Sequence, residues 1–475
     1  VINKTLAEIA AMAGGRLAEG APADLTIRGV SKDTRSLREG NLYVPLIGES
    51  FDGHDFVDAA MAQGAAAALW QIDHAAPPVG APLVIVDDTL AALQRLAKAY
   101  RRELPVRIVG ITGSNGKTTV KDMTAAVLST AFEVHKTEGN YNNHIGLPIT
   151  LLQMSPDTEL AVLEMGMSGR WEIDLLSRLA EPEVAVITNI GEAHLLQLGS
   201  RKEIARAKTE ILAGLQAGGL LVYNGDEPLI PEVLPELAEA GRMQNGAYSV
   251  TRFGKGGDND LYLLEVAADA GGTRFKVNVD SQTQYRIPAL GGHNAVNALA
   301  AIAVGRHFGL SSQQIAAGLQ DAVMTGMRIE VMRLPNGLTL LNDAYNASPA
   351  SMKAAIDLLH ELKGYRSKFA VLGDMLELGE QEADFHRAVG ALLDPAEVDA
   401  VYFYGPLASY MAEGARSRFA HDRVLHFTDK EELARALASR TAAQDLVLIK
   451  GSRGMKMEQV AAFLNDSEFL SSPEK

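Results

Sequence analysis

At 475 residues, 47% of them hydrophobic, the chain is long enough for about two to four globular domains with sizeable cores. A formal charge of −15 repels nucleic acid and anionic membrane from the surface as a whole, so a site for an anionic substrate must be local. There is no cysteine, which excludes disulfides, thiolate metal sites and a thiol nucleophile.

The first residues lack the charged region and long apolar run of a signal peptide. No stretch approaches the roughly 18–20 continuous apolar residues of a membrane span. A soluble, cytoplasmic, monomeric protein is expected, with no membrane insertion and no nucleic-acid partner. Residues 5–12 pattern as a short amphipathic helix, 25–30 and 41–46 as strands, 54–63 as a helix, 65–70 and 82–86 as strands. Residues 89–103 form a longer helix with Arg and Lys near its C-terminal end, where the dipole favours them. Pro105 closes this α/β segment, which sets the first boundary at 104/105. Within it Ser31, Asp33, Thr34 and Arg35 crowd at a strand end, and a glycine-flanked turn offers Asp52 and His54; a capped turn and a ligand site both account for such a cluster.

Residues 105–119 read PVRIVGITGSNGKTT. An apolar, β-branched run breaks at Gly113-Ser114-Asn115-Gly116 and restarts as a helix at Lys117-Thr118-Thr119. Strand, glycine loop and helix N-terminus in that order make a phosphate cradle: backbone N–H groups converge on the anion, Lys117 reaches its terminal phosphates and Thr118 can ligate Mg²⁺. The strict P-loop spacing is not met, because the glycines fall at 110, 113 and 116 and Ile111 stands six residues before Lys117.

Strands are predicted at 106–112, 160–165, 184–189 and 219–223, with helices at 117–131, 172–180, 201–217 and 293–309. This βαβ alternation implies an open parallel sheet with ligands beyond the strands' carboxyl ends, where Glu164, Asn189 and His194 fall. Glu164 and His194 beside Thr118 suit a Mg²⁺ site. Residues 245–290 turn to a β-meander. Asn294, at the start of the next helix, reads equally as an N-cap or as a contact. From 312 a third α/β unit places strands at 338–345, 368–373, 400–405 and 445–451, and helices at 349–363, 380–393, 429–440 and 454–465. Ser348-Pro349 gives a cap followed by Pro at N1, and Asp343, Asp374, Lys450 and Arg453 share one carboxyl edge.

The strings TGSNGKTTVKDM (112–123), EGNYNNHIGLP (138–148), EMGMSGRWEI (164–173), TNIGEAHL (188–195), ARAKTEI (205–211), GGHNAVNA (291–298), GMRIE (326–330), NDAYNASPASM (342–352) and LGDMLELG (372–379) together resemble the Mur ligase family of peptidoglycan synthesis, over essentially the whole chain. One departure stands out: after EMGMSG the family usually continues Gly-Glu-Ile, whereas here Arg170-Trp171 precede Glu172-Ile173. The resemblance implies an α/β protein of three domains: an N-terminal UDP-substrate domain (1–104), a central P-loop-type, mostly parallel-sheet ATPase domain (105–311) and a C-terminal Rossmann-like domain (312–475) that closes over the site. DAYNASP and LGDMLELG look like the member that adds D-Ala-D-Ala to UDP-MurNAc-tripeptide with ATP and Mg²⁺, through an acyl phosphate.

By the same resemblance, residues 113–119 hold the triphosphate, Thr118 and Glu164 a first metal ion, and His194 a second. Asn294 contacts adenine, while Arg328 and Asp343 reach the γ-phosphate and ribose. Lys208 matches a lysine that is carbamylated in some members, and a solvated helix lysine is the other reading. Ser31, Thr34 and Arg35 resemble the uracil and diphosphate contacts, and Asn142 and Asn143 a substrate loop. D-Ala-D-Ala contacts are expected near Asn346, Ser348, Asp374 and Lys450. Lys117, His194, Lys208 and Arg328 are thus the catalytic candidates. A folylpolyglutamate synthase-like ligase is disfavoured by GSNGKTT, since that family normally shows a GTNGKGS-like loop; a nucleotide-driven switch is the remaining alternative.

Overall fold

The computed structural model describes residues 1–75, 77–241, 247–269, 271–325 and 329–466. Among the described residues, three large sheets follow one another along the chain, with a two-stranded sheet beside the first. The first has five strands in the order Arg16–Leu17, Leu83–Val86, Ala67–Gln71, Leu42–Tyr43, Val30–Ser31. The strand expected over 25–30 splits at Gly29, whose φ of 77° turns the chain, so Thr26–Arg28 pairs instead with Asn3–Thr5. Helix Thr89–Glu103 has the predicted bounds and is capped by Asp88.

The second sheet has nine strands. Arg107–Thr112 lies between Leu160–Glu164 and Val184–Ile187, all parallel and fully paired through β-branched, apolar residues. The meander does not stand apart but extends this sheet: Ser249–Gly254 and Leu261–Asp269 join in parallel, and the last two strands, Gly272–Val277 and Asp280–Ile287, pair antiparallel. Helix Gly292–His307 is buried from Asn294 to Gly305 and packs along Lys117–Leu128, which pins the helix of the phosphate loop from behind. The helix expected over 201–217 is α-helical only over Arg201–Thr209 and continues as a 3₁₀ turn, Glu210–Gly214.

The third sheet has six strands, parallel except for the edge strand Glu330–Arg333. Its strands Thr339–Asp343, Lys368–Gly373 and Leu446–Lys450 point their carboxyl ends at loops that carry Asn346, Asp374 and Ser452. Among the described residues no helix is long and apolar enough to cross a membrane.

Candidate active site

Gly113 follows the central strand with φ 148°, and a Cβ there would fall 1.9 Å from Thr188 Oγ1, so only glycine passes this strand end. Asn189 holds the loop from the other side: its Oδ1 accepts from Asn115 N–H and its Nδ2 donates to Asn115 O, both at 3.0 Å. Gly191 N–H donates to Ser114 Oγ at 2.9 Å. Helix Lys117–Leu128 starts without a side-chain cap, which leaves its first-turn N–H groups available to an anion. Lys117 Nζ folds back to donate to Gly113 O at 2.8 Å.

Beside the loop, Thr118 Oγ1 donates to Glu164 Oε2 at 2.7 Å, and Asn142 Nδ2 donates to Glu164 Oε1 at 2.8 Å. Thr118 and Glu164 are buried, and their oxygens are the hard donors Mg²⁺ prefers. His194 has φ 68°, and its buried Nδ1 makes no hydrogen bond; Glu377 Oε2 lies 3.4 Å away but outside hydrogen-bonding geometry. Burial, then the Lys208 and Lys117 charges, pushes this imidazole down to about 4, so it is neutral at pH 7 and fit to be a ligand. Lys208 is only 1% exposed, which overturns the solvated-lysine reading. Burial, then Lys117, pushes its amine well below the ordinary lysine value, against the pull of Glu210, Glu164 and Glu172.

A cavity of about 390 Å³ opens over the loop. Of the residues singled out in the sequence, Ser114, Asn115, Gly116, Lys117, Thr119, Asn142, Glu164, Asn189, Asn294, Asp343, Asn346 and Lys450 line it. Lys450 Nζ donates to Asp343 Oδ2 at 2.6 Å and to Asn346 O at 2.9 Å, fixing one wall. Ser348 caps helix Pro349–Glu361 and its Oγ donates to Asn115 Oδ1 at 3.3 Å, so it bridges the second and third sheets' loops. Asn294 is not the N-cap: the helix begins at Gly292, and Asn294 sits buried in its first turn, donating to Leu290 O at 2.8 Å. Asp374 is not brought to the cavity. Its buried carboxylate accepts from Ala408 N–H at 2.6 Å, at the start of helix Ala408–Arg416. Arg328 lies outside the described residues.

Ser31, Thr34 and Arg35 do not line the cavity either. Asp33 caps their turn, accepting from Arg35 N–H at 2.9 Å, and the Arg35 side-chain hydrogen bonds hold its carboxyl down at about 2. The strand of Ser31 nevertheless packs on helix Gly146–Leu152, whose start Asn143 caps through Gly146 N–H at 2.8 Å. The Asn142-Asn143 pair therefore links the first sheet to Glu164. Lys255 and Asn297 line the cavity without having been foreseen; the glycine-flanked string FGKGG at the end of Ser249–Gly254 was the available signal for Lys255.

Among the described residues, Asp52, His54 and His74 have metal-ligand spacing. His54 Nε2 accepts from Gln71 N–H at 3.3 Å, which leaves the proton on Nδ1 to donate to Asp52 at 2.7 Å. Both His54 nitrogens are thereby committed, and His74 Nε2 shares Asp52 at 3.0 Å, while the buried His74 Nδ1 has no partner among the described residues.

The glycine loop at the carboxyl edge of a parallel sheet, with buried oxygen donors beside it, defines a nucleotide-binding α/β protein. Residues 26–101 match the model of the Mur ligase family catalytic domain, 111–305 the Mur ligase middle domain and 327–453 the Mur ligase glutamate ligase domain. A UDP-N-acetylmuramoyl-tripeptide–D-alanyl-D-alanine ligase of Bacillus subtilis (strain 168) is 50% identical over 468 residues, covering 98% of this chain and 99% of its own. A crystal structure of MurF from Acinetobacter baumannii superposes with a TM-score of 0.86 at 28% identity, over 98% of this chain and 99% of that one. The MurF ligase of Thermotoga maritima in complex with ADP gives 0.80 at 30% identity, over 92% and 97%. The chain belongs to the Mur ligase family.

Proposed function

We propose that this chain is the ATP-dependent ligase that joins D-Ala-D-Ala to UDP-MurNAc-tripeptide in peptidoglycan precursor synthesis, in the cytoplasm. The observation that carries the reading is the cavity itself: a triphosphate cradle on one wall and the Asp343–Asn346–Lys450 set of another sheet on the other. A switch ATPase needs no second wall of fixed polar groups, whereas a ligase must bring an amine to an activated carboxyl.

A free carboxylate is a poor electrophile because its charge is delocalised and its oxygen is a bad leaving group. Its oxygen therefore attacks the γ-phosphorus of ATP, ADP departs with the electrons of the broken P–O bond, and an acyl phosphate results. The D-Ala-D-Ala amine then attacks the acyl carbon, phosphate leaves, and the nitrogen loses a proton as the amide forms. Two anions must be held together, so positioning and cationic stabilisation are the protein's main contributions. Lys117 turns from Gly113 O to the terminal phosphates, and the amides of 113–118 take the rest. Thr118 and Glu164 would hold one Mg²⁺ ion, with His194 at a second metal position, and the metal would supply further neutralisation. The downward push on the Lys208 amine favours its uncharged form, the one that adds CO₂ to become an anionic carbamate. Asn294 takes adenine, and Asp343 with Arg328 the ribose and γ-phosphate. Ser31, Thr34, Arg35 and Asn143 belong to the UDP side, and Asn346 and Lys450 to the dipeptide side. The functional divisions are 1–104, 105–311 and 312–475.

A product assay by mass tests this, with ATP, Mg²⁺, UDP-MurNAc-tripeptide and D-Ala-D-Ala supplied and omitted in turn. The expected product forms only with all four. ATP turnover that ignores the dipeptide, or that a folate stimulates, would overturn the assignment.

A further inference from the structure

The loop after strand Lys368–Gly373 is fastened within its own unit: Met375 N–H donates to His386 Nε2 at 3.0 Å and Leu376 N–H to Ser452 Oγ at 2.9 Å. So anchored, it presents Glu377 across the seam to the loop that follows Val184–Ile187. Glu377 O accepts from Leu196 N–H at 3.2 Å, and its carboxylate Oε2 stands 3.4 Å from His194 Nδ1. Gly379 lies against Leu196, to which a Cβ built there would be 3.6 Å. Both facing residues hold left-handed backbone, Glu377 at φ 64° and His194 at φ 68°. Side chains adopt that region uncommonly, and such a conformation persists where surroundings impose it. Here each loop is the other's surroundings.

We propose that Glu377 is a positioning residue: it docks the third unit on the 194–198 turn, and its carboxylate, 3.4 Å from His194 Nδ1 without a hydrogen bond, limits where that ring can sit. The inference rests on the ligase reading, in which His194 serves the ATP side. Closure of the third unit and readiness of His194 then become one event, so carboxyl activation waits until the unit that brings the dipeptide is in place.

The chain has no cysteine, so the seam can be read independently of turnover. In the Leu196→Cys/Gly379→Cys protein a mild oxidant should form a disulfide, and adding Glu377→Gln should slow it at least fivefold. In the otherwise unaltered enzyme Glu377→Gln should lower kcat for ligation about tenfold, with KM for UDP-MurNAc-tripeptide within twofold, and Glu377→Asp should recover part of the loss. Unchanged cross-linking with unchanged kcat overturns the proposal, as does a loss confined to KM. Should the unaltered chain make no ligation product, the ligase reading fails, while the cross-linking rates still decide whether Glu377 docks the seam.

Discussion

The two ends of the nine-stranded sheet are both polar, yet they are built oppositely. At the amino end, Arg107 donates to both oxygens of Glu183 at 2.7 Å, His307 Nε2 adds a third contact at 3.0 Å, and the guanidinium lies 4.3 Å over the Phe308 ring. Every group there is answered by another of the chain. At the carboxyl end, the helix of Lys117 starts uncapped, Glu164 receives only neutral donors, and His194 Nδ1 makes no hydrogen bond. A polar cluster that closes on itself stabilises the fold; one that leaves donors and lone pairs facing a cavity is prepared for something absent from the chain. The Asp52–His54–His74 set is mixed: His54 commits both ring nitrogens, whereas among the described residues the buried His74 Nδ1 has no hydrogen-bond partner.

The sharpest way to break this contrast is to remove the charge of Lys117. Lys117→Ala should lower ligation by about a thousandfold, ~4 kcal/mol of transition-state stabilisation, as loss of a group aimed at developing phosphate charge does. The thermal unfolding midpoint should hardly move, since the amine's contact with Gly113 O is a local one. Near-normal product formation would remove the cradle from the mechanism. Glu164→Gln keeps the shape and loses the charge. It should raise the Mg²⁺ concentration for half-maximal rate roughly 10- to 100-fold, in line with the cost of disturbing metal ligands, and excess Mg²⁺ should restore part of the activity. An unchanged Mg²⁺ dependence would place the metal elsewhere.

How much of this was legible follows from the same contrast. Lys117, Thr118 and Glu164 could be read directly because a glycine loop between a β-branched strand and a helix, with a carboxylate closing the next strand, has few other uses. Asp374 could not: a carboxylate at a strand end faces either a cavity or the next helix N-terminus, and here Ala408 N–H claims it. Ser348 was legible as a cap but not as a bridge to Asn115, because the seam partner lies 233 positions away. Helix Gly146–Leu152, sequence GLPITLL, was invisible to periodicity since every residue is buried and no polar face marks the turn. Helix Leu229–Glu239 carries Pro235 inside it, a residue that argues against a helix until the packing is known.

The smallest effect tests the amino end. Hydrogen bonds from Arg107, then from His307, hold the Glu183 carboxyl down at about 2, below its ordinary value of 4.5. A carboxyl depressed in the folded chain contributes its stability in full above about pH 4.5, and loses it as the pH falls toward 2. Because the Arg107 side chain is 47% exposed, water screens the pair, and Glu183→Gln should cost only about 1 kcal/mol at pH 7. Denaturant unfolding at pH 7 and pH 3 should show the gap between the two proteins narrowing in acid, with KM for ATP the same in both at pH 7. A variant that instead raised the ATP or Mg²⁺ requirement would mean that strain at one end of the sheet reaches the phosphate loop through the strand Arg107–Thr112, and the two ends would have to be treated as one device.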